Sequence, residues 1–174
     1  MNFLISGLVG NPRAGSKTLA ATRSLVGALA TALGGEEGEV VDLAEFGGRV
    51  LDYTDAGIAG VRERLASVQL LVVATPVYKG SYTGLLKAFL DGYGPGALES
   101  TFAVPLTIAA SPAHSLAGAT HLQPVLDELG ALSPLGGLFI PDSIAAQPAE
   151  RDATIAAWIA RRSPVVASLT AVAA

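Results

Sequence analysis

Five short segments rich in apolar residues recur along the chain, and a segment with helical spacing follows each of them. The five lie at residues 3–8, 39–43, 68–75, 102–110 and 135–140. Apolar side chains fill them almost throughout instead of alternating with polar ones, which is typical of parallel strands in a sheet covered by helices on both faces. The repeat therefore predicts an α/β protein, a three-layer sandwich built on a five-stranded, parallel, doubly wound sheet.

The segments with helical spacing predict five helices, at residues 16–33, 54–66, 83–92, 115–129 and 150–162. The first ends at Gly34 and Gly35, since glycine readily terminates a helix. Pro124 should kink or restart the fourth, because proline lacks the backbone N–H that a helix interior needs. Trp158 in the last helix is predicted to belong to the core. The alanine-rich tail after Pro164 is predicted either to pack on the sheet or a partner, or to fray.

Composition excludes several classes of protein. A chain of 174 residues can form one domain with a full core, and 51% hydrophobic residues with a net charge of −4 argue against disorder. An isoelectric point of about 5.1 gives no basic surface for nucleic acid. The absence of cysteine removes disulfides, thiolate metal sites and cysteine nucleophiles. The N-terminal apolar run lacks a basic region and is too short to span a bilayer, which predicts a cytoplasmic protein without a membrane segment.

The basic residues are unevenly distributed along the chain. No lysine or arginine occurs between Lys87 and Arg151. A soluble monomer normally carries both signs of charge over its whole surface. Two predicted strands account for part of this interval, because buried strands need no charge. The end of the third predicted helix and the fourth are surface elements in a monomer, so their apolar character predicts a subunit interface and a homodimer or homotetramer.

Ligands of open doubly wound sheets bind beyond the carboxyl ends of the strands, so the loops there are the candidates for a site. The loop after the first strand combines turn-forming glycines, hydroxyls at a helix start and two cations: Gly10, Gly15, Ser16, Thr18, Arg13 and Lys17. This combination predicts a phosphate site. An ordinary turn with Ser16 as the helix cap explains the same residues equally well. Lys17 comes one residue too late for the loop of a nucleotide triphosphatase.

The loop after the third strand suits a flat, uncharged ligand. It combines apolar surface with exposed backbone groups at Pro76, Val77, Tyr78, Gly80 and Ser81. Such a loop can hold a planar ring edge-on, and its tyrosines can stack on the ring or cover it. Taken alone, the loop is better explained as a turn whose tyrosines are half-buried packing residues.

Considered together, three stretches resemble the NAD(P)H-dependent FMN reductases of the flavodoxin-like fold, most of all those that supply reduced flavin to sulfonate-type monooxygenases. Their counterparts in that family are the phosphate loop, the isoalloxazine loop with its following helix, and the fourth helix; here they lie at residues 10–18, 75–91, 113–116 and 122–126. The likeness covers about residues 3–140. It implies a single flavodoxin-like, FMN-binding domain over residues 1–174, with strand order 2-1-3-4-5.

The resemblance also implies roles for individual residues. The FMN phosphate would be held by Arg13, Ser16 and Thr18. The isoalloxazine ring would be lined by Pro76, Val77, Tyr78, Lys79, Gly80 and Ser81, and its other side would be closed by Ser111. Hydride would pass from NADPH or NADH to the flavin N5, so that no acid, base or nucleophile of the protein is required. Lys79 would either favour the charge of the reduced flavin or bridge to a neighbouring subunit.

Other functions remain open on these residues. A quinone or azo-dye reductase uses the same stacking chemistry, and a flavodoxin-type electron carrier binds FMN without reacting with NAD(P)H. Arg13 and Lys79 argue against the carrier, since flavodoxins usually surround FMN with acidic residues. A flavin-binding interaction module is supported only by the apolar helices. His114 and His121 lack neighbouring carboxylates, so no metal site is predicted. Thr120 stands where many relatives that supply monooxygenases carry a tyrosine. The sequence therefore leaves open whether FMN is an exchangeable substrate or a permanently bound group.

Overall fold

All five predicted strands form one parallel sheet in the computed structural model, which describes residues 3–173. The strands are β1 Leu4–Val9, β2 Glu36–Asp42, β3 Leu70–Pro76, β4 Phe102–Ala109 and β5 Leu138–Pro141. Their order is β2-β1-β3-β4-β5, and every neighbouring pair is parallel. The predicted three-layer, doubly wound architecture and its strand order 2-1-3-4-5 are therefore confirmed.

The register of the central strands sets where a ligand can bind. Val9 at the end of β1 lies opposite Ala74 of β3, and Pro76 at the end of β3 lies opposite Ile108 of β4. The carboxyl ends of β1, β3 and β4 therefore meet at one edge of the sheet. The loops that follow these three strands converge there, as the doubly wound topology requires.

Helices cover both faces of the sheet. They are α1 Lys17–Leu33, α2 Ala56–Ala66, α3 Gly84–Leu90, α4 Gln123–Glu128, α5 Asp142–Ala145, α6 Pro148–Ala160 and α7 Ser163–Ala173. One hydrophobic core joins the sheet to α1, α6 and α7, with Leu25 and Trp158 among its buried residues. A second core joins the opposite face to α2, α3 and α4 and includes Leu86 and Phe89. The prediction that Trp158 belongs to the core is confirmed, and its indole N–H donates to the Gly137 carbonyl oxygen at 3.1 Å.

The fourth predicted helix is wrong in its extent. Residues 115–129 form a π-helical turn, Gly118–Leu122, followed by α4, and a 3-10 turn, Pro112–His114, comes before them. Pro124 lies in the first turn of α4, where its missing N–H would have no partner within the helix. The π turn takes up about one extra residue per turn, and α4 starts directly after it, beside the proline.

The C-terminal tail adopts the first of the two structures that the sequence left open. It forms the helix α7, whose Val166 and Leu169 are buried in the same core as α1 and α6. Within residues 3–173, no helix is long and apolar enough to cross a membrane.

Candidate functional site

A cleft of about 530 Å³ opens at the carboxyl edge of the sheet. It is bounded by the loops after β1 and β3, by the end of β4 and by the first residue after β5. The residues that line it are Asn11, Arg13, Ala14, Gly15, Ser16, Lys17, Thr18, Pro76, Val77, Tyr78, Ile108, Ala109, Ala110 and Asp142. One end of the cleft is therefore polar and cationic, and the other end is apolar.

The polar end is formed by the β1–α1 loop, and much of its hydroxyl chemistry is used to build the loop itself. Ser16 caps α1, since its hydroxyl oxygen accepts from the Leu19 N–H at 3.2 Å. The Thr18 hydroxyl oxygen is buried and accepts from the Asn11 side-chain amide at 3.1 Å. The Asn11 side-chain oxygen, Oδ1, in turn accepts from the Arg13 backbone N–H at 3.0 Å. The helix-cap interpretation of Ser16 thus describes its hydroxyl correctly.

The groups that can receive an anion in this loop are its cations, the start of α1 and the O–H groups of Ser16 and Thr18, since a hydroxyl that accepts a hydrogen bond can still donate one. The N–H groups in the first turn of any α-helix lack partners within the helix and attract negative charge. The Arg13 side chain is exposed and makes no ion pair within residues 3–173. Gly15 adopts a left-handed backbone, φ 64°, with no atom within 4 Å of the position that a Cβ would occupy. An anion can therefore approach the loop backbone closely.

The apolar end is formed by the β3–α3 loop, which folds into a tight two-residue turn. The Tyr78 N–H donates to the Ser81 carbonyl oxygen at 2.8 Å, and the Ser81 N–H donates to the Tyr78 carbonyl oxygen at 3.1 Å. The two residues between them, Lys79 and Gly80, have φ of 53° and 84°. Positive φ at both central residues is the requirement of a type I′ turn. Lys79 and Gly80 form the tip of this turn and lie outside the lining of the cleft.

A buried chain of hydrogen bonds holds the two loops together. The Thr83 hydroxyl donates to the Gly10 carbonyl oxygen of the β1–α1 loop, and its oxygen accepts from the Leu86 N–H at 3.2 Å, which caps α3. The Thr83 N–H donates to the Thr75 hydroxyl oxygen at 3.2 Å. The Gly10 N–H donates to the Ala74 carbonyl oxygen at 2.8 Å. Thr83 therefore fixes the polar end of the cleft relative to its apolar end.

An ion pair closes one side of the polar end. The Lys17 ammonium lies 2.7 Å from a carboxylate oxygen of Asp142, the first residue after β5. Both side chains are about half exposed, at 48% and 44%. The cleft thus contains two cations, Arg13 and Lys17, and one carboxylate.

Six of the ten predicted binding residues line the cleft: Arg13, Ser16, Thr18, Pro76, Val77 and Tyr78. The others lie near it. Lys79, Gly80 and Ser81 belong to the type I′ turn beside Tyr78. Ser111 follows the lining residue Ala110 and is exposed, and its hydroxyl oxygen accepts from the Ala113 N–H at 3.2 Å.

Sequence reasoning missed three residues of the site: Asn11, Thr83 and Asp142. Asn11 lies within the predicted phosphate loop, and its ability to bond its own backbone two residues on was the available signal. Asp142 comes directly after an apolar strand, at the edge where all the ligand-binding loops gather. Thr83 was placed at a helix start, but nothing in the local sequence indicates its bond to Gly10.

Two other features of the molecule are weaker candidates for the site. A cavity of about 290 Å³ lies between α2 and the segment after α3, lined by Tyr53, Arg62 and Tyr93 among others. It lies away from the carboxyl edge of the sheet, so the cleft described above is the better candidate. Across residues 3–173, no three histidine, aspartate or glutamate side chains come together to hold a metal ion, and His114 and His121 are both exposed.

The fold defines a class of protein, the flavodoxin-like α/β proteins, and the cleft lies at the carboxyl edge of the sheet, where ligands of open doubly wound sheets bind. The family model of the NADPH-dependent FMN reductases matches residues 3–145, which is most of the chain. The chain therefore belongs to the NADPH-dependent FMN reductase family, and the predicted membership of that family is confirmed.

Individual relatives agree with this assignment. An FMN reductase (NADPH) of Pseudomonas aeruginosa is 34% identical over 93 residues, which are 51% of this chain and 50% of that protein. The match thus spans about half the length of that relative. The crystal structure of an NADH:FMN oxidoreductase in its apo form is 26% identical, with a TM-score of 0.78 over 90% of this chain and 88% of its own. An oxidoreductase of Corynebacterium diphtheriae is also 26% identical, with a TM-score of 0.79 over 98% and 97% of the two chains.

Proposed function

We propose that this protein is an NAD(P)H-dependent FMN reductase. The observation that carries the proposal is one continuous cleft with a cationic loop at one end and an apolar wall at the other. A flavin mononucleotide has the same polarity, with a phosphate at one end and a planar ring at the other. FMN, when bound, supplies a ring that accepts hydride from the nicotinamide at N5, so the protein needs no acid or base of its own.

The residues of the polar end suit the phosphate of FMN. Arg13 carries a planar guanidinium that matches phosphate geometry, and no carboxylate of the described residues occupies it. The hydroxyl oxygens of Ser16 and Thr18 accept hydrogen bonds that shape the start of α1, and each hydroxyl keeps an O–H that can donate to a phosphate oxygen.

The residues of the apolar end suit the isoalloxazine ring. Pro76, Val77 and Tyr78 form one wall, and the end of β4 with Ala109 and Ala110 forms the other. Tyr78 is 43% exposed at the mouth, where an aromatic side chain can cover one face of a ring. The position of Lys79 at the tip of the turn favours a contact with a neighbouring subunit over a contact with the ring.

The test of the proposed function is a spectroscopic titration of the protein with FMN, followed by NADH or NADPH without oxygen. We expect FMN to bind and its visible absorbance to fall on addition of one or both nucleotides. Comparison of the two titrations gives the nucleotide preference. Binding of FMN with no loss of absorbance would instead establish a flavodoxin-type electron carrier.

Replacement of Arg13 by alanine should weaken the binding of FMN about tenfold and leave riboflavin binding unchanged. A charged hydrogen bond contributes about 1.5–3 kcal/mol, and 1.4 kcal/mol corresponds to a factor of ten. Dissociation constants for the two flavins, measured by fluorescence titration, give the comparison. Arg23, exposed on α1 outside the cleft, provides the matched control as Arg23→Ala. Equal losses for FMN and riboflavin would exclude Arg13 as the phosphate ligand.

We propose that reduced flavin passes from this protein to a monooxygenase. We also propose that the protein forms a homodimer or homotetramer through the region of α3 and α4. A groove between α3 and α4 is lined by the apolar residues Leu90, Val125 and Leu129 and by the charged residues Lys87, Asp91 and Glu128. Leu116, which precedes α4, is 67% exposed. We expect a molar mass of two to four times 17.6 kDa by light scattering. Leu116→Asp should shift it toward the monomer, whereas Leu51→Asp, 68% exposed after β2, should not. A monomeric wild-type protein at micromolar concentration would refute the oligomer.

A further inference from the structure

The structure holds a carboxylate where a phosphate is expected to bind. We propose that Asp142 weakens the binding of the FMN phosphate and so makes the flavin exchangeable. This inference rests on the proposed function and concerns which of the two roles, substrate or resident group, FMN has in this protein. The effect of Asp142 is exerted on the phosphate of the flavin, so riboflavin, which has no phosphate, serves as the reference ligand.

The geometry gives Asp142 two ways to act. Its carboxylate lies 2.7 Å from the Lys17 ammonium. One of the two cations of the cleft is therefore already neutralised by an ion pair. It is also a lining residue itself, and therefore faces the same space as a phosphate bound by Arg13 and the start of α1. A phosphate would meet one cation already paired and one negative charge of its own sign.

The balance of charge in the cleft is small for a phosphate ligand. Arg13, Lys17 and Asp142 are the charged residues that line it, so their formal charges leave one positive charge in excess. A phosphate monoester carries about −1.5 to −2 at pH 7. Replacement of Asp142 by asparagine would raise the excess to two positive charges and free the Lys17 ammonium for the ligand.

The backbone of the fold places Asp142 beside Lys17. It is the first residue of α5, which packs against α1 directly after β5 ends. Lys17 is the first residue of α1. The two helix starts therefore bring together residues that are 125 positions apart in the sequence.

The experiment is a comparison of FMN and riboflavin binding to the wild-type protein and to Asp142→Asn. Asparagine keeps the shape of the side chain and removes its charge. We expect FMN to bind the variant about three- to tenfold more tightly, because the substitution removes one like charge and releases one exposed ion pair, and each such effect is modest in water. Riboflavin should bind both proteins equally, and the dissociation rate of FMN measured by stopped flow should fall by a similar factor.

The control is Glu39→Gln, which removes the carboxylate of another exposed ion pair, with Arg64 at 2.8 Å. Glu39 lies on β2 outside the cleft, so this variant should bind both flavins as the wild type does. A second variant, Lys17→Gln, tests the mechanism, since the effect of Asp142→Asn should be smaller in its presence. Rising salt should reduce the difference between Asp142→Asn and wild type, because it screens exposed charges.

Two results would overturn the inference. Weaker binding of FMN by Asp142→Asn would mean that the carboxylate orients Lys17 toward the phosphate, and unchanged binding would mean that the pair has no influence on the ligand. Failure of the proposed function has a different signature. A wild-type protein that binds riboflavin as tightly as FMN, or neither flavin, would show that the cleft holds no flavin phosphate, whatever Asp142→Asn does.

Discussion

Substitution of Gly10 by alanine is expected to destabilise the protein by about 3 kcal/mol. A Cβ at this position would lie 2.4 Å from the Cβ of Leu86 and 3.0 Å from its Cγ. Leu86 is fully buried in α3, so its Cβ cannot move without the helix, and overpacking of this kind typically costs about 1–3 kcal/mol or somewhat more. For a domain of this size the midpoint of thermal unfolding should fall by roughly 6–12 °C.

Binding should suffer as well, because the displaced helix carries the apolar end of the cleft away from the polar end. Gly84→Ala is the matched control, since Gly84 begins the same helix and has no atom within 4 Å of its Cβ position. That variant should be neutral or stabilised by up to about 1 kcal/mol, as alanine is the better helix former. A Gly10→Ala protein with the thermal stability of Gly84→Ala would show that the β1–α1 loop and α3 are not in close contact in solution.

Substitution of Thr83 by valine is expected to cost about 3 kcal/mol and to weaken the binding of both flavins. Valine has the shape of threonine without its hydroxyl, so the Gly10 carbonyl oxygen loses its donor and the Leu86 N–H loses its cap. Loss of a helix cap typically costs about 1 kcal/mol, and a buried group left without its partner costs about 1–3 kcal/mol. Chemical denaturation gives the change in stability, and fluorescence titration gives the two affinities.

The two flavins distinguish Thr83 from Arg13. Loosening of the contact between the loops should affect FMN and riboflavin alike, whereas loss of Arg13 should affect FMN alone. Thr83→Ser should restore stability and binding, because it returns the hydroxyl. Thr107→Val is the control, since Thr107 is equally buried on β4 and its hydroxyl makes no hydrogen bond to any residue in the range 3–173. Equal losses of stability in Thr83→Val and Thr107→Val would mean that removal of any buried hydroxyl has this effect, and that the bond between Thr83 and Gly10 makes no special contribution.

The sheet and the ring-binding loop could be predicted from the sequence because their signals are local. The strand β3 is buried along nearly its whole length, and its unbroken apolar run is the pattern of a central parallel strand. Pro76 to Ser81 were identified as one loop, since glycine and proline mark turns. The left-handed backbone of Lys79 could not be predicted, because lysine rarely adopts positive φ and only the paired hydrogen bonds of Tyr78 and Ser81 require it.

Apart from the local bonds of Asn11, the contacts that the sequence did not reveal join distant parts of the chain. Thr83 bonds to Gly10 across 73 positions, and Lys17 pairs with Asp142 across 125. Each contact depends on how a helix is seated on the sheet, which the local pattern of residues does not determine. The tail after Pro164 is a similar case, since its helix α7 is stabilised by burial of Val166 and Leu169 against the core that α1 shares.

The placement of the cleft also affects how the domain unfolds. The loop at the polar end leads into α1 on one side of the sheet, and the loop at the apolar end leads into α3 on the other. A rigid ligand in the cleft would therefore act as a crosslink between two hydrophobic layers that the sheet otherwise keeps apart. Its binding free energy would be lost if either layer opened, so the ligand would make the two layers unfold as one cooperative unit.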